Sequence, residues 1–163
     1  MRPHVLFLAM LLSSLLSASS LAKQSPMDST LERAQAQSRT YSAVHLILDN
    51  VHPLWGGVRF EVSSSGLLTR IDVPRQGQEP VVNRVQLDDR QADTLVQTLQ
   101  DVQAWKQRVA ERTPVHDESR ATLTFLVGRL DAEVWEWSND LVQNDRLIRV
   151  QHALNRMLPA GAP

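Results

Sequence analysis

Cysteine is absent from this 163-residue sequence. Its absence excludes disulfides, thiolate nucleophiles and thiolate metal sites together. It also excludes a bacterial lipoprotein signal, which needs a Cys just after the cleavage point. Nor is there an excess of one charge: 17 Lys and Arg stand against 18 Asp and Glu, a formal net charge of −1. With no basic run, the chain lacks the electrostatic footprint of nucleic-acid binding and the cationic cluster that holds proteins on anionic lipid. Aromatic residues make up only 5% of the chain, yet four of them are Trp. The placement of those few indoles therefore carries weight.

Long apolar runs are missing with one exception, Val5–Leu16, which follows the positive Arg2. About a dozen residues fall short of the roughly 20 needed to span a bilayer. Ser20 and Ala22 supply the small residues read by a signal peptidase. Residues 1–22 are accordingly predicted to be a cleaved signal peptide, leaving a periplasmic or secreted protein with no stable membrane anchor. Residues 23–42 are rich in Ser, Gln and Arg with almost no large apolar side chain, which predicts a polar tether, disordered or loosely helical. A single α+β domain is expected over 43–159, followed by a tail at 160–163.

Within the domain, Val44–Leu48 is β-rich, and Val58, Phe60 and Val62 alternate with polar residues as a half-buried strand does. Ser64-Ser65-Gly66 turns the chain, and Leu67, Thr69, Ile71 and Val73 continue the alternation. After the Pro- and Gly-bearing loop at 74–80, Val81–Leu87 returns an extended run. Asp88 and Gln91 form a capping-box pattern ahead of Ala92, Leu95, Val96, Leu99 and Val102 at helical spacing. Ala121–Val127 and Leu130–Trp137 then read as a hairpin about Gly128-Arg129. Leu147, Val150, Leu154 and Met157 predict a last helix capped by Asn144 or Asp140 and ended by Pro159. The expected architecture is an antiparallel sheet of four to six strands with two helices on one face, in the order ββ(β)-α-ββ-α.

No catalytic constellation emerges. Ser63-Ser64-Ser65-Gly66 is a turn and not a strand-to-helix nucleophile elbow, and the paired carboxylates sit where caps and turns want them. The chain is therefore read as non-enzymatic, with no catalytic residues and no cofactor. His116, Asp117 and Glu118 are three consecutive ligand types, but neighbours on an extended chain point in different directions, so no metal site is predicted from them alone. They support only the alternative reading, a periplasmic small-ligand or metal-binding protein. More informative are Leu54 and Trp55, which lie in an apolar connection between strands. They are either folded back as a lid on the core or presented to a partner. Trp135 and Trp137, two apart on one strand, share a face. That face is the open side of the sheet if Val134 faces the helices, unless a bulge turns Trp137 inward against the last helix. These four residues are the candidate partner-binding surface, because indoles dominate binding hot spots.

The order of strand, Gly56-Gly57, alternating strand, the Leu87–Val102 helix, and Asp117 ahead of a second hairpin resembles emfourin-type proteins, small inhibitors of thermolysin-like metalloproteases. It also resembles uncharacterised exported bacterial proteins with the same strand and helix order, here through Asp117-Glu118 and Trp137-Ser138-Asn139-Asp140. The apolar His52–Trp55 loop and the signal peptide depart from the emfourin pattern. What the resemblance implies is an α+β fold and a protein-interaction role, with protease inhibition as its most concrete version. If cleavage follows Ala22, intact-mass analysis of the exported chain should find Lys23 at its amino terminus. Full-length chain retained in a membrane fraction would contradict this.

Overall fold

The structure, a computed structural model, describes residues 25–36, 44–108 and 112–159. The predicted signal peptide, the rest of the predicted tether and the tail at 160–163 lie outside the described residues. Six strands form one antiparallel sheet: β1 (Val44–His52), β2 (Gly56–Val62), β3 (Leu67–Val73), β4 (Val81–Gln86), β5 (Arg120–Val127) and β6 (Leu130–Trp137). Their order across the sheet is β4-β3-β2-β1-β5-β6, so β1 is central and pairs with both halves of the chain. Three α-helices are described, α1 (Pro26–Ala36), α2 (Asp89–Asp101) and α3 (Asp145–Met157), with a 3-10 helix over Ser138–Gln143 between β6 and α3. The fold is thus α+β with an antiparallel sheet, as the alternation predicts. Its order adds a helix before β1 and makes Val81–Gln86 a full fourth strand. None of the described helices is long and apolar enough to cross a membrane.

One face of the sheet supplies the core. Leu46, Leu48, Phe60, Leu68, Leu123 and Phe125 alternate inward along four strands and are fully buried, meeting Leu95, Val96 and Leu99 of α2 and Leu147, Val150 and Leu154 of α3. The register makes this continuous, since Leu46 stands between Val62 and Phe125, and Leu48 between Phe60 and Leu123. Helix α2 starts where its side chains demand: Asp88 accepts from the Gln91 backbone N–H at 2.8 Å and the Gln91 amide accepts from the Asp88 N–H at 2.9 Å. Such reciprocal capping satisfies two N–H groups that a helix start otherwise leaves open. For α3, Asn144 is the cap, taking the Leu147 N–H at 3.2 Å. Asp140 instead lies within the 3-10 helix and pairs with an arginine.

Composition misleads in the segment before the sheet. Pro26–Ala36 is a helix docked by Met27, Leu31 and Ala34, where a disordered or loosely helical tether was expected. Their spacing of four and three residues makes a stripe one side chain wide, enough to bury Leu31 completely although the mean hydropathy of the segment is low. Ser25 caps it, accepting from the Asp28 backbone N–H at 3.1 Å. Strand β1 also runs four residues past Leu48. Asp49 and Asn50 are poor strand formers, but the sheet brackets them, and Asp49 faces Arg59 across the β1–β2 pair at 3.4 Å.

The two sheet edges differ. On β6, the Gln107 side-chain amide donates to the Trp135 carbonyl at 2.9 Å and accepts from the Trp135 N–H at 2.8 Å. A side chain thereby stands where a further strand would pair. On β4, Val81 and Val82 are exposed. Leu99→Ala and Leu31→Ala should each lower the unfolding free energy by about 2–5 kcal/mol, as buried Leu truncations do. Urea titrations measure both, and a loss below about 0.5 kcal/mol for Leu31→Ala would show that α1 is not packed on the core.

Candidate functional site

Along β1 the inward-facing residues change from Val44, Leu46 and Leu48 to Asn50 and His52. Beyond Leu48 the sheet therefore carries polar groups on the side that the helices cover elsewhere. A cleft of about 510 Å³ opens there, between the β1–β2 tip and the loop leading to β5, with the first residues of the 3-10 helix closing one end.

The β1–β2 tip is fixed by two glycines and a histidine. Gly56 has φ +75°, and a Cβ on it would collide with the Val73 and Pro74 carbonyls, while one on Gly57 would strike the Asn50 carbonyl. Only glycine lets the chain turn this close to its neighbours. His52 Nδ1 accepts from the Leu54 N–H at 3.0 Å and the Trp55 N–H at 3.3 Å. Its Nε2 lies 2.6 Å from the Asp117 carbonyl oxygen. A carbonyl only accepts, so Nε2 carries the proton and the ring is the neutral Nε2–H tautomer. The imidazole thus ties the tip to the opposite loop, where Asp117 holds a left-handed φ of +60°.

Held this way, Leu54 and Trp55 are 48% and 63% exposed. They are not folded back as a lid on the core, because the His52 contacts direct the turn outward and Gly56 leaves no side chain to draw it in. Trp55 is steadied by the Arg75 guanidinium, 5.4 Å from its ring centroid, and by the His52 ring at 6.2 Å. Trp135 and Trp137 take a different course. They share the open face of the sheet in regular register, opposite Thr122 and Arg120, so no bulge turns Trp137 toward α3. Their rings meet edge to face at 4.9 Å, and Arg120 lies 4.1 Å over Trp135 and 5.0 Å over Trp137. Trp137 is buried and donates its indole N–H to the Arg112 carbonyl at 3.3 Å. Trp135 is half-buried beneath Arg120. Of the four sequence candidates, Leu54 and Trp55 are the pair open to solvent.

The loop on the far wall is held by Arg112. Its guanidinium donates to Glu118 Oε1 at 2.7 Å and Oε2 at 2.8 Å, and its Nε is 2.9 Å from Asp140 Oδ2. The Glu118 carboxylate also accepts the Val115 N–H at 3.1 Å and the Asn139 N–H at 3.3 Å. Arg112 above all, aided by those two N–H groups and opposed by burial, pulls the Glu118 carboxyl down from an ordinary 4.5 to about 2. The hydrogen bond with Glu118 likewise holds Arg112 charged beyond the usual arginine range. Glu118 is therefore a structural anion. His116 and Asp117 stand at the exposed rim, 3.2 Å apart, and among the described residues no three His, Asp or Glu side chains are grouped to hold a metal.

Two further residues were not singled out by sequence. Glu136 is 1% exposed on the helix side of β6, where it takes Arg108 Nε at 2.8 Å, Asn144 Nδ2 at 3.1 Å and the Trp137 N–H at 3.1 Å. Arg112 had no motif to mark it, although its distance of six residues from Glu118 suits a closed loop. No protein-family model matches this sequence, and no curated protein matches it.

Glu118 binds its proton less readily folded than unfolded, so the unfolded state takes up more protons as pH drops below about 4.5. Its contribution to stability is complete above about 4.5 and is lost as pH falls toward about 2. The stability difference between the parent chain and Glu118→Gln, followed by urea unfolding from pH 7 to pH 2, should be constant at the upper end and shrink below pH 4.5. A difference that stays flat through that range would rule out the Arg112–Glu118 clasp.

Proposed function

We propose that this chain is an exported, non-enzymatic interaction module that binds another protein through the Leu54–Trp55 tip. The observation that carries this reading is a solvent-presented Trp beside an exposed Leu, on a turn whose backbone His52 and two glycines hold. Indoles at a contact centre supply large apolar area at little entropic cost, and their truncation typically removes about 2 kcal/mol or more of binding. A pre-set turn lowers the ordering cost further. Inhibition of a secreted metalloprotease is the most concrete form of this role, suggested by the resemblance to emfourin-type inhibitors.

A photo-crosslinking amino acid at position 54, in the full chain within its exporting cell, should give an adduct with one discrete protein. The same group at Val142, exposed on the 3-10 helix, should not. Trp55→Ala should fold normally and weaken partner binding by about 30-fold, the equivalent of 2 kcal/mol. Adducts that do not distinguish positions 54 and 142 would remove the basis for a docking tip. For the inhibitor form, titration of a thermolysin-like protease with the purified chain gives the direct answer, and undiminished proteolysis at excess chain would exclude it.

A second reading, capture of a small ligand, is favoured by one specific observation. The cleft beside the tip displays side-chain amides without protein partners, the Asn50 Nδ2 group and the Asn139 side chain, among the described residues.

A further inference from the structure

We infer that the cleft between the β1–β2 tip and the loop at 112–119 is a binding site for a neutral saccharide, with Trp55 as its stacking wall. The inference rests on the small-ligand reading and gives that ligand a chemical class.

The polar lining is directional. The Ser138 hydroxyl donates to Asn50 Oδ1 at 3.2 Å, because an amide oxygen only accepts. Ser119 Oγ, 2.8 Å from Ser138 Oγ, must then donate to it. The chain of hydrogen bonds runs Ser119 to Ser138 to Asn50. It leaves acceptor capacity on Ser119 and both Nδ2 hydrogens of Asn50 without a protein partner, and both residues line the cleft. Asn139 adds an amide with a donor and an acceptor end, its backbone N–H alone being engaged by Glu118. Asp117 adds carboxylate acceptors at the rim. Donors and acceptors therefore alternate over a short distance. A hydroxyl is both donor and acceptor, so a ring bearing several hydroxyls satisfies such a lining, whereas an anion or a cation satisfies only half of it.

Charge points the same way. Glu118 also lines the cleft, but its carboxylate is closed by Arg112 and two N–H groups, so the exposed Asp117 carboxylate at the rim, beside His116, is the charge left to the lining and the interior presents dipoles. The remaining wall is Trp55, whose flat indole is large, mostly exposed and in contact with Arg75 and His52. The apolar C–H face of a pyranose matches such a surface, while its edge hydroxyls reach the amides opposite. A volume of about 510 Å³ lies within the usual range for small-ligand sites and is open at one side, as an oligosaccharide end requires. Because the backbone of the turn is held by His52 before any ligand arrives, binding needs little backbone ordering.

The full exported chain should be titrated with chitotriose, cellotriose and maltotriose, following Trp fluorescence and backbone amide shifts. Tri-alanine serves as a peptide comparison. At least one trisaccharide should bind saturably with a Kd of roughly 10 µM to 1 mM. Trp55→Ala and, separately, Asn139→Ala should each weaken it by about tenfold or more. Asn139 is exposed and its side chain holds nothing in place, so that variant keeps the test valid if Trp55→Ala perturbs the tip. No saturable binding of any trisaccharide at about 10 mM, or affinity unchanged in both variants, overturns the inference. If tri-alanine alone moves the cleft amides, the saccharide assignment falls while the small-ligand reading stands. If no probe moves them, both fall.

Discussion

The far wall of the cleft depends on how one guanidinium is shared. Arg112 bridges Glu118 of its own loop and Asp140 of the 3-10 helix, while its carbonyl takes the Trp137 indole N–H. Four segments meet on it: the stretch entering the loop, the turn before β5, the end of β6 and the start of the 3-10 helix. Fork-like arginine geometry suits this, since two parallel bonds to one carboxylate leave Nε free for another. Remove the arginine and Glu118 becomes a shielded anion facing only two N–H groups. The loop that presents His116, Asp117 and Ser119 would then lose its support, and the cleft its far wall.

His52 performs the matching task on the near side. It binds the tip's own backbone through Nδ1 and the opposite loop through Nε2. The cleft is thus a gap between two separately braced walls, which is why it stays open although the sheet is well packed a few residues away. The switch from Leu48 to Asn50 along one strand marks the boundary between core and site. A polar residue on the inward side of a strand costs free energy unless a partner or solvent satisfies it; here the Ser138 hydroxyl serves the Asn50 Oδ1 and the cleft leaves its Nδ2 group open.

The fold was legible because strand and helix periodicities are long-range patterns that survive local exceptions. Alternation at Val58–Val62 and Ala121–Val127, and the cap at Asp88, each correspond to a real element. The failures have a common cause. At α1, average polarity hid a stripe formed by Met27, Leu31 and Ala34, because burial depends on spacing more than on composition. At the tip, an apolar pair left a core lid and a presented turn both open, because the direction of the turn is set by Gly56, Gly57 and the ring nitrogen of a histidine. At Trp137, spacing correctly placed the indole beside Trp135, but its cover comes from Arg120 and Arg112, partners distant in sequence. The Arg112–Glu118–Asp140 clasp and the buried Glu136 left no mark in any local pattern, because each is defined by what converges on it from elsewhere in the chain.

The unequal edges of the sheet have a consequence for assembly. Sheets polymerise when both margins accept a neighbour, since each added chain then offers a fresh margin to the next. The Gln107 amide occupies the β6 margin, making the sheet a one-ended object. Association through β4 can join two copies back to back and must stop there, because the outer margins of the pair are both stoppered. A single glutamine thus sets an upper limit on edge-to-edge growth of a sheet that no disulfide braces.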